Sequence, residues 1–373
     1  MDLYRSPLAK KLPQRTEPIQ KPTGYLGQLQ RVKDEIEARA CQDISFSKPI
    51  VELNGTGIVY PNSITTIQGQ KGSHKSRLTE LICAAILSRS TEPGPIGITV
   101  DNTVPFHIVY IDTERNKNDQ LPYAIQRIKE KAGFGRKDRP PNLEAISLID
   151  IDRESRFEAL AQYMEEVRNT NPEKFIVVVL DVITDCIGSF NDPKESLKLI
   201  DHLNKLINEH DISFICIIHE NPNSIGDSKA RGHLGTEIIN KATTALSIGF
   251  EKSSKELVNI KFLHTRSSRR PEPVQVHYCD RAKGLVLADE TFVSENKGQN
   301  ALKAGPDEVR KWIMDNLQGE ISKSEIIFRL SAAFNCKAKT IETRLKELTD
   351  GPYSTLERIK KGKEVYFTKK VPF

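Results

Sequence analysis

A chain of 373 residues, 38% hydrophobic and 28% charged, has the balance of an ordinary globular protein with room for about two to three domains. No apolar run approaches the ~20 residues of a membrane span, and the opening Met1-Asp-Leu-Tyr-Arg-Ser-Pro7 lacks an apolar secretory core, so no membrane partner and a cytoplasmic location are expected. The six cysteines are scattered without a CxxC, which argues against a disulfide frame or a zinc site.

The formal net charge of +5 is uneven. Residues 1–33 carry seven Lys/Arg against two Asp/Glu, and residues 305–373 carry fourteen against ten, leaving the middle mildly acidic. Basic ends around such a body suit a protein that meets nucleic acid at its periphery.

In chain order, residues 1–24 hold Pro7, Pro13, Pro18 and Pro22 among basic and polar residues and read as a flexible arm. Leu26, Leu29, Val32, Ile36 and Ala40 recur at helical spacing, so a short helix closes a first segment, 1–45. Pro49 to Tyr60, with Gly55 and Gly57, reads as a hairpin. It leads into a buried strand, Ile64 to Ile67, then a glycine turn, then a helix with Leu78, Leu81, Ile82, Ala85 and Ile86 on one face.

Strand, glycine turn, Lys75-Ser76 and helix is the layout of a phosphate-binding loop. Turn N–H groups and the helix N-terminus attract phosphate, a Lys reaches the terminal phosphates and a hydroxyl meets Mg²⁺. Gly69, Gln70, Lys71, Gly72, Ser73, His74, Lys75, Ser76 and Arg77 are therefore the expected ATP-binding positions. The pattern G-x-x-x-x-G-K-[ST] fits except at His74, which stands where a second Gly belongs, and Gly72 is the candidate to take over its freedom.

Ser90 to Asp101, rich in Gly, Pro and Thr, reads as a loop. Strands are expected at His107 to Arg115, Leu143 to Ile149, Phe175 to Asp181 and Ile212 to His219, with helices at Leu121 to Ala132, Arg156 to Asn169 and Leu197 to His210. Continuous apolar strands alternating with helices indicate an α/β fold, a mostly parallel sheet flanked by helices. Ligands bind such sheets at the carboxyl ends of the strands, where the phosphate loop, Glu114, Asp181 and His219 all fall.

Asp181 is the expected partner of Ser76 in a Mg²⁺ shell, with Asp185 as backup. Glu114 is the candidate to orient and deprotonate water, with Asp112 as runner-up, since alternation puts both on one face. His219 is the candidate sensor of the terminal phosphate. Residues 222–236, with Lys229, Arg231 and His233, form a loop able to touch single-stranded nucleic acid. His264 to Arg270 places three arginines at a strand end, and Arg266 is the first candidate for an arginine finger reaching a neighbouring subunit.

Short strands from Ala245 to Ala288 are expected to extend the sheet with antiparallel pairs, giving a core over 46–290, and 291–306 reads as a polar linker. Residues 307–373 form a last unit: three helices, then a hairpin with the turn Lys360-Lys-Gly-Lys363. It resembles a winged helix-turn-helix domain, a family that puts its third helix in the major groove and its wing on the backbone. Lys337, Lys339, Arg344 and Lys346 on that helix and Lys360, Lys361 and Lys363 on the wing are the expected duplex contacts.

The order of motifs is similar to that of the RecA-like ATPases, more narrowly the RepA/DnaB-type hexameric helicase branch of plasmids and mobile elements. The carriers are Gly69-Gln-Lys-Gly-Ser-His-Lys-Ser76, Ile111-Asp-Thr-Glu114, Val177-Val-Val-Leu-Asp181, Ile217-Ile-His219, Arg231-Gly-His-Leu-Gly-Thr236 and Phe262-Leu-His-Thr-Arg266. The resemblance implies Mg²⁺-dependent ATP hydrolysis, catalytic roles for Lys75, Glu114 and Arg266, DNA as partner, and a homo-oligomer, a hexameric ring with ATP between subunits. His264 stands where the family carries a Lys. The rival expectations are a nucleotide-gated DNA-binding regulator with weak or no turnover, and an assembly scaffold with no ATP affinity.

Overall fold

In the computed structural model the described residues are 24–44, 46–88, 93–101, 103–221, 229–251, 254–266, 270–298, 304–350, 354–362 and 364–370. The chain divides into two compact units between Ser47 and Lys48. The first contains a helix, α1 (Gly24–Ala40), with a Lys33–Glu37 pair one turn apart.

The second unit begins with β1 (Val51–Leu53) and β2 (Thr56–Val59), an antiparallel hairpin with Asn54 and Gly55 at positive φ. Then come β3 (Ile64–Gly69), α2 (Lys75–Leu87), β4 (Ile98–Val100), β5 (Phe106–Asp112), α3 (Gln120–Lys131), β6 (Leu143–Ser147), α4 (Arg156–Thr170), β7 (Phe175–Asp181), α5 (Pro193–His210) and β8 (Ile212–His219). After these follow α6 (Gly232–Lys241), β9 (Thr244–Phe250), β10 (Leu257–Thr265), β11 (Val274–Cys279), β12 (Gly284–Leu287) and α7 (Glu290–Gly298). The Gly- and Pro-rich stretch expected to be a loop contains β4, which pairs with β1, so β2, β1 and β4 form a small sheet of their own.

The large sheet runs β12-β11-β10-β9-β3-β8-β7-β5-β6. Strands β9, β3, β8, β7, β5 and β6 are mutually parallel, and β10 to β12 continue antiparallel. The expectation of antiparallel pairing from Ala245 onward is therefore corrected at β9, which lies parallel to β3 because α6 carries the chain back across the sheet. Alternation decides which face each residue serves. Val177 and Val179 of β7 join Leu78 and Ile82 of α2 in one core. Val178 and Leu180 join Leu160 of α4 and Leu203 of α5 in the other. Both faces are covered, as a parallel sheet requires, and each fully buried Val or Leu contributes about 1.5–3 kcal/mol.

Helix α5 starts where Asp192 accepts hydrogen bonds from the backbone N–H of Lys194 and Glu195, with Pro193 in the first turn. Its apolar residues Leu199, Leu203 and Leu206 share a core with Phe214 and Cys216 of β8. The segment expected to be a linker is instead partly helical: in α7, Phe292 stacks on His277 of β11 at 4.1 Å, and Asn296 accepts from Ser254.

The last residues form α8 (Pro306–Asn316), β13 (Ile321–Ser322), α9 (Lys323–Phe334), α10 (Ala338–Asp350), β14 (Leu356–Lys361) and β15 (Glu364–Lys369). Ser322 caps α9 by accepting from Glu325 N–H at 3.3 Å. β13 completes a three-stranded sheet, β13-β15-β14, that sequence periodicity did not announce at two residues. Val309, Ile313, Ile326, Leu330, Ile341, Leu345 and Phe367 make a separate core.

Candidate nucleotide site

Strand β3 is buried throughout and delivers the chain to the turn Gln70–His74, which opens α2. A Cβ at Gly69 would lie 2.4 Å from the Ile248 carbonyl oxygen and 2.4 Å from Ser73 Oγ, so only glycine fits there. His74 itself takes the left-handed conformation, φ 70° and ψ 18°, that the missing glycine would have taken, and Gly72 is left-handed as well. His74 is held there by its ring, stacked on Tyr278 at 5.8 Å and edge-on to Phe250 at 5.5 Å. Burial, and then the Arg77 charge, hold its pKa below the ordinary 6.5, so the ring adds no charge to the turn at neutral pH.

Lys75 folds over the turn, donating to the carbonyls of Gly69 at 2.9 Å and Gln70 at 2.8 Å. Burial lowers its pKa, and Asp181, Glu220 and Glu114 oppose that shift. These carboxylates hold a buried ammonium charged beside the helix N-terminus, where a phosphate would find it. Ser73 Oγ is buried without a hydrogen-bond partner and faces the same turn.

Ser76 donates to Asp181 Oδ2 at 3.0 Å, joining the first turn of α2 to the end of β7. This hydroxyl and carboxylate make an all-oxygen pair of the kind that Mg²⁺ takes beside nucleotide phosphates. Among the described residues no group of three or more His, Cys, Asp or Glu is placed to hold a metal, so an ion here would draw its other ligands from phosphate and water. Tyr110 of β5 also donates to Asp181 Oδ2, at 2.8 Å, and Arg115 forms a close ion pair with the same oxygen.

Glu114 and Asp112, which alternation could not tell apart, differ in their surroundings. Asp112 is buried and accepts from the backbone N–H of Glu114 at 3.0 Å and Arg115 at 2.6 Å. Burial raises its pKa to about 6, against the pull of Arg115. It shapes the turn. Glu114 has a half-exposed side chain, with Oε1 3.4 Å from Nε2 of His219. Its pKa is lowered, chiefly by that His219 contact, so it is a carboxylate at neutral pH. Asp185, the backup metal ligand, is paired with Arg153 at 3.2 Å.

His219 also ties the site to the loop after β8: its carbonyl accepts from Arg231 N–H at 2.8 Å, and Asn221 N–H donates to Lys229 O at 3.0 Å. Lys229 and Arg231 are exposed, with the Arg231 guanidinium over the Phe190 ring at 4.5 Å, while residues 222–228 of this loop lie outside the described residues. Arg266 is exposed at the end of β10 and donates to Asn240 O at 2.9 Å, so within one chain it is not brought to Lys75.

In the C-terminal part Lys339 is exposed on α10. Arg344, expected on the same free face, is not free: it donates to Ala304 O at 3.0 Å and to Glu347 at 2.8 Å, because it lies where α10 meets the start of α8. Lys361 is exposed but paired with Glu320 at 2.5 Å, and Lys363 lies outside the described residues.

Sequence reading missed Tyr110, Arg115 and Glu220. Glu220 accepts from Gln68 at 2.9 Å and Ser247 at 3.1 Å, tying β3, β8 and β9 together under the phosphate turn. A tyrosine set among Ile108, Val109 and Ile111 in a buried strand was the available signal for Tyr110.

The AAA domain family model matches residues 33–224, from α1 through the phosphate turn to the loop beyond His219. The chain belongs to the AAA domain family. This AAA domain is a P-loop ATPase domain, with the turn Gln70–His74, Asp181 and Glu114 at adjoining strand ends of the parallel sheet. Among solved structures, the crystal structure of the RadB recombinase is similar over 64% of this chain and 95% of that one, at 14% identity and a TM-score of 0.43. No curated protein matches the chain. Among the described residues no helix of the AAA domain protein is long and apolar enough to cross a membrane.

Proposed function

We propose that the protein is a Mg²⁺-dependent ATPase acting on DNA, a motor or replication and mobilisation protein of the RepA-like type. The observation that carries this reading is the convergence of Lys75, Ser76, Asp181, Glu114 and His219 on one end of the sheet. Lys75 and the turn N–H groups bind the phosphates, Ser76 and Asp181 hold the ion, and Glu114 accepts the proton of the attacking water. Bound Mg²⁺ would supply charge neutralisation on the phosphates. Arg266, exposed at the end of β10, serves as the arginine finger of a homo-oligomeric ring.

DNA contact rests on two places. The loop tied to His219 carries Lys229 and Arg231 and meets single-stranded DNA, so strand occupancy and Glu114 share one hydrogen-bonded path. Three helices and the β14–β15 hairpin, in winged-helix order, meet duplex DNA through Lys339 and the hairpin lysines. The test is ATP turnover with and without single- and double-stranded DNA, alongside Glu114→Gln and Lys75→Ala. DNA-stimulated turnover lost in both variants is expected; ATP binding without turnover on any nucleic acid would sink the motor reading. DNA binding that responds to nucleotide, without turnover, would instead support the regulator, which the separate C-terminal core favours.

A further inference from the structure

Asp181 Oδ2 is a crowded atom. It accepts from Ser76 Oγ at 3.0 Å, from Tyr110 OH at 2.8 Å and from the guanidinium of Arg115. Arg115 has further partners. Its Nη1 is 3.5 Å from Asp112 Oδ2, its Nη2 3.2 Å from Tyr110 OH, and its backbone N–H 2.6 Å from Asp112 Oδ1. Its side chain is 18% exposed. The carboxylate it meets sits at 4% exposure at the end of β7, beside the hydroxyl that a phosphate-bound divalent ion would use.

We propose that Arg115 is a built-in cation at the metal position, competing with the divalent ion for Asp181 and so setting the ion concentration at which the nucleotide site loads. This rests on the ATPase reading and adds to it the control of metal entry. Both cations seek one carboxylate. A guanidinium does not deprotonate in a protein, so proton loss cannot remove it. Two positive groups on one buried oxygen repel strongly where water is scarce, so the ion must displace Arg115 or bind against its field. The arginine directly follows Glu114, whose N–H shares Asp112 Oδ1 with that of Arg115. Movement of the guanidinium off Asp181 therefore acts on the same turn that carries the candidate base.

The experiment is a titration of the full chain with Mn²⁺ at saturating ADP, with free Mn²⁺ read by electron paramagnetic resonance. Fluorescent ADP binding in EDTA is measured in parallel. Arg115→Gln is expected to bind Mn²⁺ about tenfold more tightly than wild type, the size of one partly screened charge–charge interaction. Its affinity for ADP in EDTA is expected to stay within about threefold of wild type, as it should if the guanidinium contacts the carboxylate and not the phosphates. Equal or weaker Mn²⁺ binding by the variant overturns the proposal, as does a large loss of metal-free ADP binding. Wild type alone supplies a second reading, since the Arg115 guanidinium nitrogen signals should shift as Mg²⁺ is added at saturating ADP. Unmoved signals overturn the proposal even if the variant does not fold. Failure of wild type to bind ADP at all would instead strike the ATPase reading.

Discussion

His74 sits at φ 70°, a conformation that costs a residue with a side chain about 1–2 kcal/mol, and two aromatic contacts hold it there. His74→Gly removes both the cost and the contacts and adds the backbone entropy of glycine. Stability is therefore expected to change by less than about 1 kcal/mol in urea denaturation, while ATP affinity is kept. A change of more than about 3 kcal/mol would mean that the ring supports more of the molecule than Tyr278 and Phe250. At Lys75 the expectation is sharper. Lys75→Ala deletes the only ammonium bonded to the Gly69 and Gln70 carbonyls among the described residues, and fluorescent ATP binding is expected to fall by at least about tenfold. The pH dependence of turnover follows from Glu114. Its pKa lies below the ordinary 4.5, so it is already ionised at neutral pH, and it contributes no loss of rate from about pH 8 down to about pH 6.

Elements hold one another through a few polar contacts inside apolar cores. Arg127 of α3 forms a close ion pair with Glu80 of α2, whose side chain is 1% exposed. Arg127→Met would leave Glu80 buried and unpaired, at an expected cost of about 3–5 kcal/mol at neutral pH. Burial already raises the Glu80 pKa, against the pull of Arg127. A carboxyl with a raised folded pKa binds more protons folded than unfolded, so its contribution to stability is full below the ordinary 4.5 and is lost as pH rises. Without Arg127 the pKa rises further, and the loss of stability should be smaller at about pH 5 than at about pH 8. Equal losses at both, measured by urea denaturation, would show that Glu80 does not titrate there.

For the whole molecule, the separate core of α8 to β15 gives the basic hairpin its own support. Duplex DNA binding is expected to weaken with salt, and replacing Lys339 and Lys360 by Gln should lower the slope of log affinity against log salt by about 1 to 2. An unchanged slope would remove this surface from the DNA reading.

Periodicity and punctuation made most of the core legible from sequence. Val177 to Leu180 read as a strand buried on both faces, Gly69 and Lys75-Ser76 as the turn between a strand and a helix, and Asp181 and His219 followed from where apolar strands stop. These are local facts, fixed by burial and by backbone geometry within a few residues. Other features depended on what neighbours do. Whether Glu114 or Asp112 faces outward was decided by Asp112 turning back to cap its own loop. Whether Arg344 is free was decided by the carbonyl of Ala304, forty residues away. The parallel setting of β9, the β4 strand inside a Gly-Pro stretch, and Arg115 beside Asp181 are likewise long-range outcomes. A sequence states which groups exist and their local spacing. Only the packed chain decides which charge is desolvated beside which, and that is where the chemistry of this site is set.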